Sequence, residues 1–467
     1  MLALVLLLAA GSPAGSPDPD VATRLLGGAL SDGIAFQRLT ELTDGIGPRL
    51  SGSPGAEAAV KWGLSRMKED GLAARLEPVK VPHWVRGHAD GEILAGNGHA
   101  AFPLAITALG GSVGTPAGGI TAEVIEAWSL EQIAALGDKA RGKIVFLNHE
   151  MGTNGGYGDW AVLRGKGPAE AAKVGALAVV IRSLATASLR SPHTGATTYE
   201  EGVAKIPAAA LATEDGELIH RLLQRGAVRI RLGLGCRILP DADSANVVAE
   251  LRGREAPDEV VLIGAHLDSW DLAQGAEDDG AGVALVMEAG RLLARLPKPP
   301  RRTVRVVLFM NEENGLQGAK AYAAAHKDEL PRHVAAIEMD SGGARAVGVT
   351  VKSLAGAGAL LDPWLQPLKS LGIEKAKEGD AGGADLTPLR PSSVPMVSVN
   401  QDGTHYFELH HSAADTLDHI DPKELAQAAA AVAWVTYALA EMPAVLPRPP
   451  AEPEHGPAHD TPAAKKH

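Results

Sequence analysis

The chain of 467 residues has one cysteine, Cys236, so no disulfide can form within it. Export does not require one, and a lone thiol of this kind is expected to be a small buried hydrophobe. Aromatic residues are scarce, at 4%. That scarcity accompanies abundant alanine and glycine and reads as coding bias more than a structural signal. Positive charge is in deficit: 44 Lys and Arg against 56 Asp and Glu leave a formal charge of −12. This argues against nucleic acid or an anionic membrane surface as partner and leaves small molecules or peptides. Long apolar runs are also missing. The start, MLALVLLLAA, falls short of the roughly 20 residues that span a bilayer, and no other segment is long and apolar enough, so no membrane-spanning helix is expected. That start, followed by the small residues GSPAG, fits the apolar region and cleavage site of a signal peptide, although no Lys or Arg precedes it. Residues 1–20 are therefore expected to be a signal-peptide-like segment and mobile start, and the protein secreted or periplasmic.

The remaining composition is that of a globular protein, 45% apolar and 21% charged, with length for two or three domains. Apolar spacing predicts helices over 34–45 and 56–71, joined by the turn-rich IGPRLSGSPG. Residues 34–118 are read as the first part of a catalytic domain. Between 119 and 236 the texture changes to short strands (GKIVFLN, ALAVVIRS, KIPAAAL) and short helices, a compact α+β insert. From 240 to 443 strands alternate regularly with helices. This predicts an α/β fold with a mixed, largely parallel sheet flanked by helices. Residues 444–467 are Pro- and Ala-rich and expected to be disordered.

In such sheets ligands bind beyond the carboxyl ends of the strands, and several candidate residues fall there. His266 and Asp268 end the apolar EVVLIGA. Two apart in extended chain they share a face, so Asp268 can orient the His266 ring, as metal-bound imidazoles require. Asp278 lies in the following loop, and its two oxygens can bridge two cations. Asp279 suits the start of the next helix. Glu312 and Glu313 follow TVRVVLFM. Adjacent buried acids are costly unless metal or protons compensate them; one can bind metal while the other acts as a general base. Asp340 ends AAIEMD. One of His410 and His411 is expected to be a ligand, with Asp415 orienting it or capping the next turn. His405 and His419 read as ordinary polar residues. Singly each has a bland explanation as a surface or turn residue. Jointly, at strand ends of one sheet, they indicate a metallohydrolase crevice.

The ordered pattern His-x-Asp, Asp-Asp-Gly, Glu-Glu with Gly-x-x-Gly after it, Asp, then His-x-x-x-Asp-Thr resembles the zinc peptidase family M28. Longer segments, among them HLDSWDLAQGAEDDG, SPHTGATTYEEGVAKIPAAAL, GPRLSGS and EPVKVPHWVRG, narrow the resemblance to a carboxypeptidase branch over about residues 34–445. The resemblance implies a zinc-dependent exopeptidase fold whose insert is similar to a protease-associated domain. It implies two Zn²⁺, one on His266 and Asp340, the other on Glu313 and His411, with Asp278 between them. Glu312 would be the general base toward a hydroxide bridging the metals, and Asp268 the orienter of His266. His410 takes the place of a residue that contacts the transition state in some relatives, and a cis peptide is implied just after Asp278. The expected activity is hydrolysis of dipeptides or short peptides, by a homodimer. The competing readings are an aminopeptidase with the same centre, a single-zinc glutaminyl cyclase-like enzyme, and a receptor-like binding protein that has lost its ligands; in this chain every ligand position is filled.

Overall fold

The computed structural model describes residues 17–152 and 156–452. The apolar run of the start, and the tail beyond 452, lie outside the described residues. Three helices come first: α1 (Pro19–Asp32), α2 (Ile34–Thr43) and α3 (Pro54–Glu69). The last two agree with the apolar spacing. α3 begins where the Ser53 hydroxyl accepts the Ala56 N–H at 3.2 Å, with Pro54 in the first turn, a start in which a free backbone donor is capped and proline loses nothing. Strand β1 (Ala73–Val85) follows.

The insert then forms its own eight-stranded sheet. Its strands are β2 (Ala89–Ile93), β3 (Phe102–Leu104), β4 (Ile106–Ala108), β5 (Ile120–Ala127), β6 (Ile144–Leu147), β7 (Ala178–Arg182), β8 (Ala208–Leu211) and β9 (Arg229–Leu234), in the order β3-β2-β9-β5-β6-β7-β8-β4. β5 to β8 are parallel and the outer pairs antiparallel. Helices α4 (Leu130–Leu136), α5 (Tyr157–Lys173) and α6 (Thr213–Leu223) make the crossovers. Composition places the start of this unit at 119, yet β2 to β4, within the stretch assigned to the first catalytic segment, hydrogen-bond into the same sheet. The reason is their length: three to five residues in a glycine-rich stretch are too few to show a period of two.

The main sheet combines β1 with β10 (Arg237–Leu251), β11 (Ala256–His266), β12 (Arg302–Phe309), β13 (His333–Glu338), β14 (Ala346–Lys352), β15 (Ala376–Glu378) and β16 (Met396–Gln401), in the order β1-β10-β12-β11-β13-β16-β14-β15. The central four, β12-β11-β13-β16, are parallel. β12 and β13 are buried along their whole length, so their segments VVLF and VAAI are apolar on both faces and do not alternate. Alternate residues serve two cores. Val261, Ile263 and Ala265 pack with helices α7 (Ala281–Ala294) and α11 (Pro422–Glu441), together with α1 and α2, while Leu262, Val307 and Phe309 pack with α8 (Gln317–Ala325). No helix among the described residues is long and apolar enough to cross a membrane.

The tail corrects one expectation. Residues 444–452 are docked, not loose. Leu446 is buried, the Arg448 guanidinium donates to the carbonyls of Leu330, Pro331, His333 and Ser392 at 2.7–3.0 Å, and Lys352 pairs with Glu452. Composition hides this because the partners are backbone carbonyls more than 50 residues away in sequence.

Candidate metal centre

Parallel strands end on one edge, so the exits of β11, β12 and β13 lie side by side. His266 is the last residue of β11 and fully buried. Its Nδ1 lies 3.0 Å from the Asp268 carbonyl oxygen and 3.8 Å from the Asp268 carboxylate. The ring is thus oriented mainly by the Asp268 backbone. The Asp268 carboxylate instead accepts the N–H groups of Asn311 (2.8 Å) and Glu312 (3.1 Å), tying the exit of β11 to that of β12, where the two glutamates emerge.

Asp278 sits in an irregular turn before α7, and the Asp278–Asp279 peptide is cis. Its two oxygens face different groups. Oδ1 lies 3.0 Å from His266 Nε2, which is also 3.6 Å from Asp340. Oδ2 lies 3.2 Å from His411 Nε2, which is also 3.1 Å from Glu313 Oε2. Glu313 is steadied on its other oxygen by the Trp270 N–H at 3.0 Å. His410 stacks on His411, with ring centroids 3.5 Å apart and its Nε2 3.6 Å from Asp278. Glu312 is buried beside Glu313. Asp279 accepts the Gly282 N–H at 3.0 Å, as a helix-start residue should, and also the His266 N–H at 3.0 Å. Asp415 does not orient His411: its oxygens accept the N–H groups of Glu277 (2.6 Å) and Asp278 (3.2 Å) and so hold the turn. His405 pairs with Glu408 at the surface and His419 is exposed, both ordinary polar residues.

Burial decides the electrostatics. It pushes Glu313 up to about 8, helped by the charge on Asp278, and it raises Asp279 and Asp268 as well. On the histidines burial opposes the charge but loses. Asp278 and Asp340 hold His266 well above its usual range, and Glu313 and Asp278 carry His411 to about 10. His410, buried and beside His411, is driven well below it. Protons therefore balance a dense set of buried carboxylates, with Arg49 as a further buried cation. Ligand atoms of His266, Asp278 and Glu313, of Asp278, His410 and His411, and of His266, Asp279 and Asp340 converge within 4.8 Å in each group. Mixed imidazole and carboxylate donors at this spacing fit divalent cations such as zinc, which would replace the retained protons.

Several contributors carry no motif of their own. Arg49, fully buried in GPRLSGS, donates to the carbonyls of Leu267, Gln274 and Gly275 and so shapes the loop that carries Asp268 and Asp278. Its signal is only a basic residue in a turn. Tyr157 and Thr194 reach His411 from the insert, and Arg164 donates to both of them. No local pattern points across that distance. Two cavities flank the centre. One of about 890 Å³ lies between the insert loop at Ser188–Ser191 and residues of the main-sheet unit such as Glu277, Ser341, Arg345 and Tyr406. The other, about 390 Å³, is lined by Glu338, Asp340, Asp380 and Asn400. Both have room for a short peptide segment.

Comparison with known proteins agrees with this geometry. The profile of peptidase family M28 matches residues 246–436. Carboxypeptidase Q of Mus musculus is 40% identical over 416 residues, 89% of this chain and 87% of that protein, and the Homo sapiens protein of the same name is 40% identical over 417 residues with the same coverage. Among solved structures, a peptidase M28 precursor from Shewanella amazonensis superposes with a TM-score of 0.88 at 40% identity, covering 92% of this chain and 98% of the other. A zinc aminopeptidase from Bacillus subtilis shares the fold, with a TM-score of 0.67 at 21% identity over 94% of this chain and 99% of that one.

Proposed function

The chain belongs to peptidase family M28 and is a metallopeptidase, and from that premise we propose that it is a dizinc exopeptidase acting on dipeptides or short peptides in the manner of carboxypeptidase Q. The observation that carries the dizinc reading is the division of Asp278, whose two oxygens face two separate His-carboxylate groups. His266 and Asp340 would hold one zinc and Glu313 and His411 the other, with Asp278 between them. When bound, such a pair polarises a scissile carbonyl and lowers the pKa of an attacking water.

The chain's own residues do the rest. Glu312 takes the proton of that water and returns it to the leaving amine. Asp268 keeps Glu312 in place through the bond to its N–H. His410, kept neutral chiefly by burial, retains one ring N–H to donate, and is assigned the contact with the tetrahedral intermediate. Peptides enter through the flanking cavities. Export by way of the apolar start and assembly as a homodimer complete the proposal.

The test is a panel of dipeptides, N-acetylated dipeptides and C-amidated peptides on zinc-saturated protein. Free dipeptides should be cut, and C-amidation should abolish cleavage. Cleavage of amidated peptides together with loss on N-acetylation would instead make the protein an aminopeptidase. Glu312→Gln should keep two zinc ions per chain and lose on the order of 10²- to 10⁴-fold in kcat. Unchanged turnover in that variant would remove Glu312 from the mechanism.

A further inference from the structure

The two imidazoles of the centre are supported differently. His266 is oriented by its own loop, through the Asp268 carbonyl two residues on. His411 is oriented by the insert. Its Nδ1 lies 3.4 Å from the Tyr157 hydroxyl oxygen and 3.4 Å from the Thr194 carbonyl oxygen, partners 254 and 217 residues away in sequence. Two acceptors at equal, long distance from one ring N–H describe a shared hydrogen bond. Both acceptors are held by a single group: Arg164 Nη1 donates to Tyr157 Oη at 2.6 Å and to the Thr194 carbonyl at 3.1 Å. Thr194 also grips the backbone of the ligand, its N–H donating to the His411 carbonyl at 2.8 Å. That grip matters because His411 has φ +61°, a left-handed conformation uncommon for a residue with a Cβ.

The strut is built for close approach. The Arg164 guanidinium lies against Gly195 at φ +138°, where any Cβ would occupy the space of the guanidinium. Tyr157 is wedged in place by Phe407 and His410, with ring centroids at 5.1 and 4.9 Å. Arg164, Tyr157 and Thr194 are all buried, so the strut is screened from water.

We propose that Arg164, Tyr157 and Thr194 of the insert are positioning residues that set the affinity of the cation held by Glu313 and His411, leaving the His266 and Asp340 side to the catalytic unit. The inference rests on the dizinc reading above. Its physical basis is that a metal-bound imidazole must carry its proton on the far nitrogen, and the acceptor of that proton fixes both tautomer and ring direction. Here the acceptors belong to the insert, so the catalytic unit alone does not complete the second cation position. Arg164 also draws electron density from both acceptors. The Glu313–His411 position is therefore the weaker of the two.

The experiment is equilibrium titration of chelator-treated full-length protein with Zn²⁺ against a competing indicator, repeated with Co²⁺ by visible absorption. Wild type should take up two equivalents, the first tighter than the second. Tyr157→Phe keeps the ring packing and removes one acceptor, and Arg164→Met removes the strut. Each should weaken the second equivalent about 10- to 100-fold, leave the first within twofold, and change only the second step of the cobalt spectrum. Arg164→Lys, which restores a cation, should recover part of the loss. If wild type binds two equivalents and both variants bind the second as tightly as wild type, the inference fails. Equal loss at both steps also overturns it, since that is the signature of a merely structural residue. If wild type binds only one equivalent, the dizinc reading itself has failed.

Discussion

Histidine shows how far one side chain is decided by its surroundings. His411, between Glu313 and Asp278, is carried to about 10, while His410, stacked on it, is driven the other way. His333 lies away from the centre and is pushed down to about 4, chiefly by burial. Its Nδ1 faces the Glu329 carbonyl at 3.1 Å and its Nε2 the Tyr322 hydroxyl at 2.8 Å, which fixes a neutral tautomer. The folded value lies below the unfolded value near 6.5, so the unfolded chain binds the proton first and stability falls as pH drops from about 6.5 toward 4. For this one group the loss between pH 7 and pH 5 is about 2 kcal/mol. Urea unfolding of His333→Leu should show a pH dependence flatter by that amount, and an identical slope would show that His333 does not stay neutral. His266, Glu313 and Asp340 were legible from the sequence because they lie at or just beyond the ends of apolar strands, whereas Asp278, in the loop after β11, and the choice of His411 over His410 followed from the family resemblance. Arg49 and the true role of Asp415 were not legible, because both act on backbone groups, which have no sequence signature.

At the level of elements, the loop after β11 joins the two sheets. Trp270 donates its N–H to Glu313, and its indole ring lies against Gly110, in the loop that follows β4. A Cβ at Gly110 would overlap the ring. Gly110→Ala should therefore displace the Trp270 loop, cost about 1–3 kcal/mol, and lower kcat/KM through the misplaced Glu313. Gly27→Ala, in α1 with nothing within 4 Å of the added atom, is the control and should be neutral or stabilising by about 0.5–1 kcal/mol. Thermal melting and kinetics of the two variants decide the matter, and equal behaviour would show that the Trp270 contact is slack. α3 was readable from its apolar period, and α7 and α11 from their place in the regular alternation of strands and helices. β2 to β4 and the docked segment 444–452 were not, since their order comes from partners distant in sequence.

For the molecule as a whole, folding brings carboxylates together at a cost that protons offset only in part. Removing zinc with a chelator should lower Tm, and zinc should restore it, whereas Mg²⁺, which prefers an all-oxygen octahedral shell, should not. At a free zinc concentration about 1,000 times Kd the stabilisation is about 4 kcal/mol per site. A Tm indifferent to chelation would mean that the centre binds no metal of consequence. The sequence by itself determined the α/β class, the edge at which the site lies, and the residue types gathered there, because strand periodicity and strand ends are local properties. Only the tertiary structure decided that Asp278 divides its oxygens between two groups, that Asp268 orients His266 through its backbone, and that His411 depends on an insert more than 200 residues away. Those are relations between segments distant along the chain, fixed by packing and by the need of buried polar groups for partners, and neither leaves a trace in local sequence.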